Sequence, residues 1–292
     1  MHMADALVSA PVAVTAGVVA AALIIVASRK VSRINREDIL PLMGVMGAFV
    51  FAAQMINFSI PGTGSSGHII GGVLLAALMG PWAAFITLAS VLIIQCLIFA
   101  DGGLMALGCN LINMAAMSCL VAYPLLYRPI AGNSLKKWRV MAASVVACIV
   151  GLELGALLVT GETELSGITA LPTSQFLMFM LPIHLAIGLC EGLATGVVLC
   201  FVMSYRPEML YRPGVQNEYS GKSEKLTKRS KVVISVFAGL AIVMGVAFTW
   251  VASSDPDGLE WSISKLTGST ELAPAVTPVT ALMPDYDSTF AG

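Results

Sequence analysis

Residues 69–100 decide the fold: they read IIGGVLLAALMGPWAAFITLASVLIIQCLIFA and contain no charged side chain. A membrane-spanning helix needs about 20 mostly apolar residues, so this run is too long for one span. Gly80 and Pro81 lie in its middle, and proline ends or kinks a helix. The run therefore predicts a short segment at 69–80 and a longer helix at 82–100, joined by a sharp turn.

The rest of the chain is similarly apolar. Of its 292 residues, 57% are hydrophobic and 11% are charged, and the mean hydropathy is +0.87. An ordinary soluble domain carries about 25% charged residues. The strands of a membrane β-barrel alternate in polarity instead of forming long apolar runs. We therefore expect an all-α, polytopic membrane protein, and we exclude soluble, fibrous, disordered and nucleic-acid-binding classes.

Eight apolar segments are predicted to cross the membrane. Seven of them precede a polar, charged stretch, and the eighth follows it. We expect a membrane domain at 1–205, a cytoplasmic linker at 206–231, and a last helix with a polar tail at 232–292. The predicted spans are 7–28, 39–57, 69–80, 82–100, 104–126, 139–160, 176–204 and 232–252.

The basic residues orient these spans. With the N-terminus outside, the cytoplasmic segments 29–38, 128–139 and 206–231 hold four, four and seven Lys and Arg residues, which is 15 of the 16. This asymmetry is what the positive-inside rule requires. Treating 69–100 as one span would put the first two segments on opposite sides. We therefore expect the N-terminus, the loop that ends at His68 and the C-terminal tail on the outer face of the cell membrane.

The N-terminus offers a nitrogen chelate. We expect Met1 to be retained, because methionine is generally removed only before small residues and His2 follows. The free α-amine, the deprotonable amide nitrogen of His2 and the His2 imidazole can close adjacent chelate rings on one divalent ion. His68 could complete four donors. Nitrogen donors in one plane suit Ni²⁺ and Cu²⁺, with Co²⁺ next. The alternative is that His2 and His68 are ordinary terminal and loop residues.

His184 and Glu191 lie seven residues apart on one face of the segment 176–204. An ionisable residue in a membrane helix indicates a functional site, but a polar pair that ties helices together is the favoured explanation here. Asn57, at the end of a span, and Ser66, in the glycine-rich loop, could support metal ligands through hydrogen bonds.

No catalytic motif is present. Gly221-Lys222-Ser223 resembles the end of a phosphate-binding loop, but residue 216, where the first glycine should stand, is Gln216. We therefore expect a non-catalytic chain without its own ATP site.

Together, residues 1–5, 65–72 and 184–192 resemble the nickel/cobalt substrate-binding (S) components of energy-coupling factor (ECF) transporters, the NikM/CbiM type. The tail resembles the PDGLE segment of their small companion subunit, here fused. The motifs are Met1-His2-Met3-x-Asp5, Ser65-Ser66-Gly67-His68-Ile69-Ile70-Gly71-Gly72, His184-x-x-Ile187-Gly188-x-x-Glu191-Gly192 and Asp255-Pro256-Asp257-Gly258-Leu259-Glu260.

The resemblance implies a seven-helix S component that binds Ni²⁺ or Co²⁺ as transported substrate, with nickel preferred. It implies near-planar ligation by the Met1 amine, the His2 amide nitrogen, the His2 imidazole and the His68 imidazole. It also implies a transmembrane coupling subunit and two cytoplasmic ATPases as partners, besides membrane lipid. The chain departs from the family at Ala6, where glycine is usual, and in having one helix beside its PDGLE segment where the companion has two.

Two other functions remain open from the residues. The chain could be a secondary metal transporter that uses His184 and Glu191 and an ion gradient. It could also be a membrane scaffold or sensor that binds no metal.

Overall fold

The computed structural model describes residues 1–34, 39–132, 136–211, 228–247 and 253–270, together with 272 and 283. It is a helical bundle that carries one small hairpin between its second and third helices. The helices are α1 (Ala10–Val31), α2 (Ile39–Gln54), α3 (Gly72–Met79), α4 (Pro81–Phe99), α5 (Leu107–Ala131), α6 (Lys137–Ser166), α7 (Thr173–Tyr205), α8 (Lys228–Ala247) and α9 (Gly258–Thr267), and the antiparallel strands are β1 (Phe58–Ile60) and β2 (Ser65–Gly67).

Among the described residues, five helices are long and apolar enough to cross a membrane: α1 and α4 to α7. Two shorter apolar helical segments lie in α2 and α8. The expectation of a mostly helical protein with several membrane-spanning helices is confirmed, apart from the small hairpin. The count of eight spans stays a prediction.

The segment 69–80 differs from its prediction. Only Gly72–Met79 is helical, and all eight of these residues are buried. At 1.5 Å per residue, α3 is about 12 Å long, well short of a bilayer core. Gly71 precedes it with φ of +79°, a left-handed conformation that glycine adopts readily. The predicted break is confirmed, since α3 ends at Met79, Gly80 caps it, and Pro81 opens α4.

Other boundaries shift by a few residues. The first helix begins at Ala10 instead of 7, with Pro11 in its first turn, and a 3₁₀ turn occupies Asp5–Leu7. The helix α8 begins at Lys228, so the end of the predicted linker is helical. The predicted linker residues 212–227 and the end of the last predicted span, 248–252, lie outside the described residues. The helix α9 in the tail was not predicted.

Small residues bring the central helices together. A Cβ atom at Gly188 would lie 2.7 Å from Cα of Ile149, and one at Gly192 would lie 2.5 Å from Cα of Val145. These glycines of α7 therefore let its backbone pack directly against α6, as small residues do between membrane helices. At the periphery, α8 packs on α2 through an edge-to-face contact of Phe237 with Phe49, with ring centroids 5.1 Å apart.

Candidate metal site

The N-terminal segment runs into the bundle. Met1 and Met3 are 4% and 0% exposed, and the methyl group of Met1 contacts the position where Gly155 of α6 lacks a side chain. A buried chain terminus is unusual, because termini of most domains are loose at the surface. The α-amine of Met1 is therefore held inside the protein, where it can act as a fixed donor.

The sequence-predicted ligands come together around this terminus. His68 lies in the extended piece between β2 and α3, and its ring stacks on the ring of His2 with centroids 5.2 Å apart and planes at 20°. His68 also lines a small cavity that Met1 reaches. The predicted convergence of Met1, His2 and His68 is thus present in the fold, and the binding of metal by these residues stays a prediction.

A carboxylate faces each of the two terminal donors. The Met1 ammonium donates to Oδ2 of Asp257 at 2.5 Å, and Nδ1 of His2 lies 2.9 Å from Oδ1 of Asp101. Nε2 of His2 is buried, with no hydrogen-bond partner among the described residues. The sequence alone does not indicate Asp101 as a partner of His2, because the two are distant in the chain and no spacing rule links them.

The electrostatics favour a neutral His68. Burial, with the N-terminal ammonium and His2 close by, lowers the pKa of His68 to about 3. Its imidazole therefore keeps a lone pair at neutral pH. Burial alone would raise the pKa of Asp257, but the Met1 ammonium at its Oδ2 reverses this and holds the pKa well below its usual range. Asp257 is therefore an anion beside the candidate ligands.

The PDGLE segment lies along β2 beside these ligands. The amide of Ser66 donates to the carbonyl of Pro256 at 2.8 Å, and its hydroxyl donates to the carbonyl of Asp255 at 2.7 Å. Ser66 and Asp257 form a parallel bridge. Ser66, predicted as a supporting residue, thus ties the tail to the loop of His68. Asn57 lies further away and accepts a hydrogen bond from the amide of Ser253 at its carbonyl.

Local structure explains three residues of the PDGLE motif: Asp257, Leu259 and Glu260. Oδ1 of Asp257 accepts from the amides of Leu259 (2.8 Å) and Glu260 (2.9 Å), and Glu260 accepts from the amide of Asp257 at 3.0 Å. This is a capping box that starts α9. Leu259 is 2% exposed. The Asp-x-x-Glu spacing could have predicted this helix from the sequence.

Gly258 explains how closely the motif approaches the bundle. A Cβ atom at Gly258 would lie 2.7 Å from Ile183 and 3.2 Å from Cε1 of His184. Its neighbour Asp255 accepts hydrogen bonds from the hydroxyls of Ser59 and Ser253. The Asp257 side chain makes two kinds of contact. Its Oδ1 accepts from the amides that start α9, and its Oδ2 accepts from the Met1 ammonium.

His184 and Glu191 have separate partners. Glu191 accepts from the amides of Ile70 and Gly71 at 2.8 and 2.9 Å, so it ties α7 to the chain just after His68 at the N-terminus of α3. Nδ1 of His184 lies 2.7 Å from the carbonyl of Met180, and His184 lines the same cavity as Met1 and His68.

Side chains alone do not make the candidate site. Within the described part of the chain, no group of three or more His, Cys, Asp and Glu side chains is placed to hold a metal ion. A metal site here needs the α-amine of Met1 and the backbone nitrogen of His2 in addition to imidazole. Such a donor set is available only at a chain terminus, because only there does an amine precede the amide.

Comparison with known proteins gives the family of the chain. Residues 2–209 match the family described as cobalt uptake substrate-specific transmembrane region, and residues 231–290 match the PDGLE domain. A protein of Archaeoglobus fulgidus, named as a fused nickel transport protein NikMN, is 37% identical over 61% of this chain and 58% of its own length. The fused nickel transport protein NikMN of Rhodobacter capsulatus is 31% identical over 72% of this chain and 64% of its own length.

The chain thus matches less than two thirds of the length of these two relatives. A crystal structure of a transition metal transporter superposes with a TM-score of 0.63 at 30% identity, covering 75% of this chain and 98% of that one. The matched family region, residues 2–209, contains His2, His68 and Glu191. The chain therefore belongs to the family of cobalt uptake substrate-specific transmembrane regions and carries a PDGLE domain at its C-terminal side.

Proposed function

We propose that the chain is the substrate-binding component of an ATP-driven ECF transporter that imports a divalent transition metal, nickel first and cobalt next. The observation that carries this proposal is the meeting of three nitrogen-bearing residues inside the bundle. The buried α-amine of Met1 shares one region with the stacked imidazoles of His2 and His68.

The covalent geometry of His2 decides which ring nitrogen can join the chelate. From the amide nitrogen, the path through Cα, Cβ and Cγ closes a six-membered ring with the metal at Nδ1, whereas Nε2 is too far for such a ring. Nδ1 is the atom that Asp101 holds at 2.9 Å. An incoming ion would take the place of this contact: the proton that Nδ1 donates to Asp101 moves to Nε2 of the same ring, and the amine releases the proton that Asp257 stabilises.

This exchange leaves the charge of the buried region unchanged. A divalent ion adds two positive charges, while the Met1 ammonium and the His2 amide each lose one proton. The carboxylates of Asp257 and Asp101 therefore balance the positive charge of the protonated donors before the ion binds, and the charge of the ion afterwards. Because uncompensated charge in a low-dielectric interior is costly, the balance favours reversible loading.

In this proposal the chain spans the cell membrane, with its N-terminus and its PDGLE tail outside. The tail covers the capture site, and its Asp257 holds the N-terminal ammonium of the chain. Coupling to ATP requires a transmembrane subunit and two cytoplasmic ATPases, so the chain itself is non-catalytic. The names of the relatives, which describe nickel or cobalt transport proteins, support this assignment.

Nickel is placed before cobalt on two grounds. A planar nitrogen set suits Ni²⁺, and the two fused relatives compared here are named for nickel. Competition between Ni²⁺ and Co²⁺ on the purified chain tests this order directly. Stronger retention of cobalt at equal concentrations would reverse it.

The central experiment measures Ni²⁺ bound per purified chain by elemental analysis, with mass spectrometry of the mature N-terminus. We expect one ion per chain, lost on extending the N-terminus by one residue and in His2→Ala and His68→Ala. A one-residue extension at the C-terminus is the control and should keep the ion. Tight binding by the N-terminally extended chain or by His2→Ala would falsify the proposal.

Uptake into vesicles separates the transport mechanisms. The chain alone should not accumulate metal across a proton or sodium gradient, and uptake should need its coupling subunit, the ATPases and ATP. Gradient-driven uptake by the chain alone that depends on His184 and Glu191 would instead establish a secondary transporter.

A further inference from the structure

The loop and helix that follow Asp101 form a cradle for the N-terminal segment. The amide of Met3 donates to Oδ1 of Asn110 at 2.7 Å, and Nδ2 of Asn110 donates back to the carbonyl of Met3 at 3.1 Å. The amide of Gly103 donates to the same carbonyl at 3.0 Å. Both backbone groups of Met3 are therefore held by partners outside the segment.

Asn110 imitates a strand partner. Its carboxamide offers one acceptor and one donor side by side, and both are used on one residue of the N-terminal segment. An exchanged pair of this kind fixes the position of a chain and also its direction, as a hydrogen-bonded pair does in an antiparallel ladder. Asn110 is 2% exposed, so water does not compete for these bonds.

The cradle fits residues 2–5 closely. The amide of Ala106 donates to Oδ1 of Asp5 at 3.0 Å. A side chain at position 103 would overlap Asp5, and a Cβ at Gly102 would lie 2.8 Å from Nδ2 of Asn110. The two glycines of the Asp101-Gly102-Gly103 turn are thus needed for the approach of the segment to its cradle.

We propose that Asn110 is a positioning residue that sets the register of the N-terminal segment and so places the metal donors. This inference rests on the proposed function. Only Met1 and His2 precede the residue that Asn110 holds, and those two residues supply the amine, the amide nitrogen and one imidazole. A shift of the segment by one residue would put other groups where these donors lie. The two hydrogen bonds from Asn110 to Met3, called the clamp below, therefore fix how many residues extend from Met3 toward His68.

The first test compares Asn110→Ala with Asn113→Ala. Asn113 is a matched control, since it lies on the same helix, is 1% exposed and donates to Glu162 instead of the N-terminal segment. Loss of a residue that orients a ligand costs about 10- to 100-fold in metal affinity. We expect this loss of Ni²⁺ affinity in Asn110→Ala, together with loss of the visible absorption band of planar nitrogen-bound nickel. Asn113→Ala should stay within about threefold of the unaltered chain.

Two insertions keep the test decisive if Asn110→Ala fails to fold. One alanine inserted between His2 and Met3 lies on the donor side of the clamp and should abolish the planar nickel spectrum. One alanine inserted between Val8 and Ser9 lies beyond the clamp and should leave the spectrum intact. Equal loss in both insertions, or an unchanged spectrum and affinity in Asn110→Ala, overturns the inference.

The unaltered chain and His68→Ala are measured alongside. If the unaltered chain binds no Ni²⁺, or if His68→Ala binds it equally well, the proposed function fails and the inference fails with it. If these two behave as proposed while Asn110→Ala matches the unaltered chain, only the positioning role of Asn110 is lost.

Discussion

The α-ammonium of Met1 lies 2.5 Å from Oδ2 of Asp257, although 256 positions separate the two residues in the chain. The side chains of Met1 and Asp257 are only 2% and 16% exposed. Because a buried ammonium without a partner is strongly destabilising, this carboxylate is what allows the terminus to enter the bundle. The contact joins the N-terminus of the chain to its PDGLE segment.

Asp257→Asn should release the terminus. Asparagine keeps an oxygen for capping α9 but removes the charge that holds the ammonium. We expect acylation of the α-amine by a water-soluble reagent to rise by at least about threefold, measured by mass spectrometry of the N-terminal peptide. Asp255→Asn is the matched control, because the hydrogen bonds of the Asp255 side chain to described residues come from the hydroxyls of Ser59 and Ser253 and not from the terminus. Equal labelling of both variants would show that Asp257 does not hold the terminus.

Gly258→Ala should lift α9 from the bundle. The added methyl group would overlap Ile183 and crowd His184. Trp261 reports the change, since its Nε1 donates to the carbonyl of Thr63 and its ring packs on Phe179. We expect a red shift of Trp261 fluorescence.

This measurement needs a chain in which Trp82, Trp138 and Trp250 are phenylalanine. Gly239→Ala in α8 is the control, because nothing lies within 4 Å of a Cβ there. An unchanged emission maximum in Gly258→Ala would mean that the segment tolerates a side chain at this point.

Glu191→Gln should weaken nickel binding without creating a dependence on a proton gradient. The carboxylate accepts from the amides of both Ile70 and Gly71, and a glutamine would present an N–H group to one of them. The chain beside His68 would then shift. We expect a loss of about 10- to 100-fold in Ni²⁺ affinity by titration calorimetry.

Glu153→Gln in α6 is the matched control, since Oε1 of Glu153 has no hydrogen-bond partner among the described residues. It should stay within about threefold of the unaltered chain. Similar losses in both glutamine variants would argue against a specific function of the Glu191 contact.

Nickel affinity should rise with pH. The ion displaces one proton from the Met1 amine and one from the His2 amide, so the affinity increases as protons become scarcer. Around neutral pH its logarithm should therefore rise with pH. His68 adds no third proton, because a pKa of about 3 leaves it already neutral there. Calorimetry in buffers of different ionisation enthalpy detects the released protons, and an affinity that does not rise with pH would contradict this account.

Much of the helical framework is readable from the sequence, because apolar runs and glycine-proline breaks act locally. The break at Gly80-Pro81 and most boundaries of α4 to α7 lie within a few residues of their predictions. The extended stretch before α3 was not predicted, because its apolar residues are equally typical of a helix. In the structure, Glu191 accepts from the amides of Ile70 and Gly71. That contact comes from another helix and leaves no local signal.

The candidate ligands were predictable in type but not in surroundings. The start Met1-His2 and the loop histidine His68 indicate nitrogen donors by their chemistry. The carboxylates of Asp101 and Asp257 and the carboxamide of Asn110 become partners of the terminus only through long-range packing, which one sequence does not encode in any spacing. The capping box Asp257–Glu260 is the exception, because its spacing is itself a local rule.

The bridge between Ser66 and Asp257 has a consequence for stoichiometry. A companion supplied as a separate protein would dissociate as it becomes dilute in the bilayer. Here the PDGLE segment belongs to the same chain as the loop that it pairs with, so its local concentration is set by the length of the connecting chain and not by expression level. Each candidate metal site therefore has its own PDGLE segment, and its pairing with that segment is independent of how many copies the cell makes.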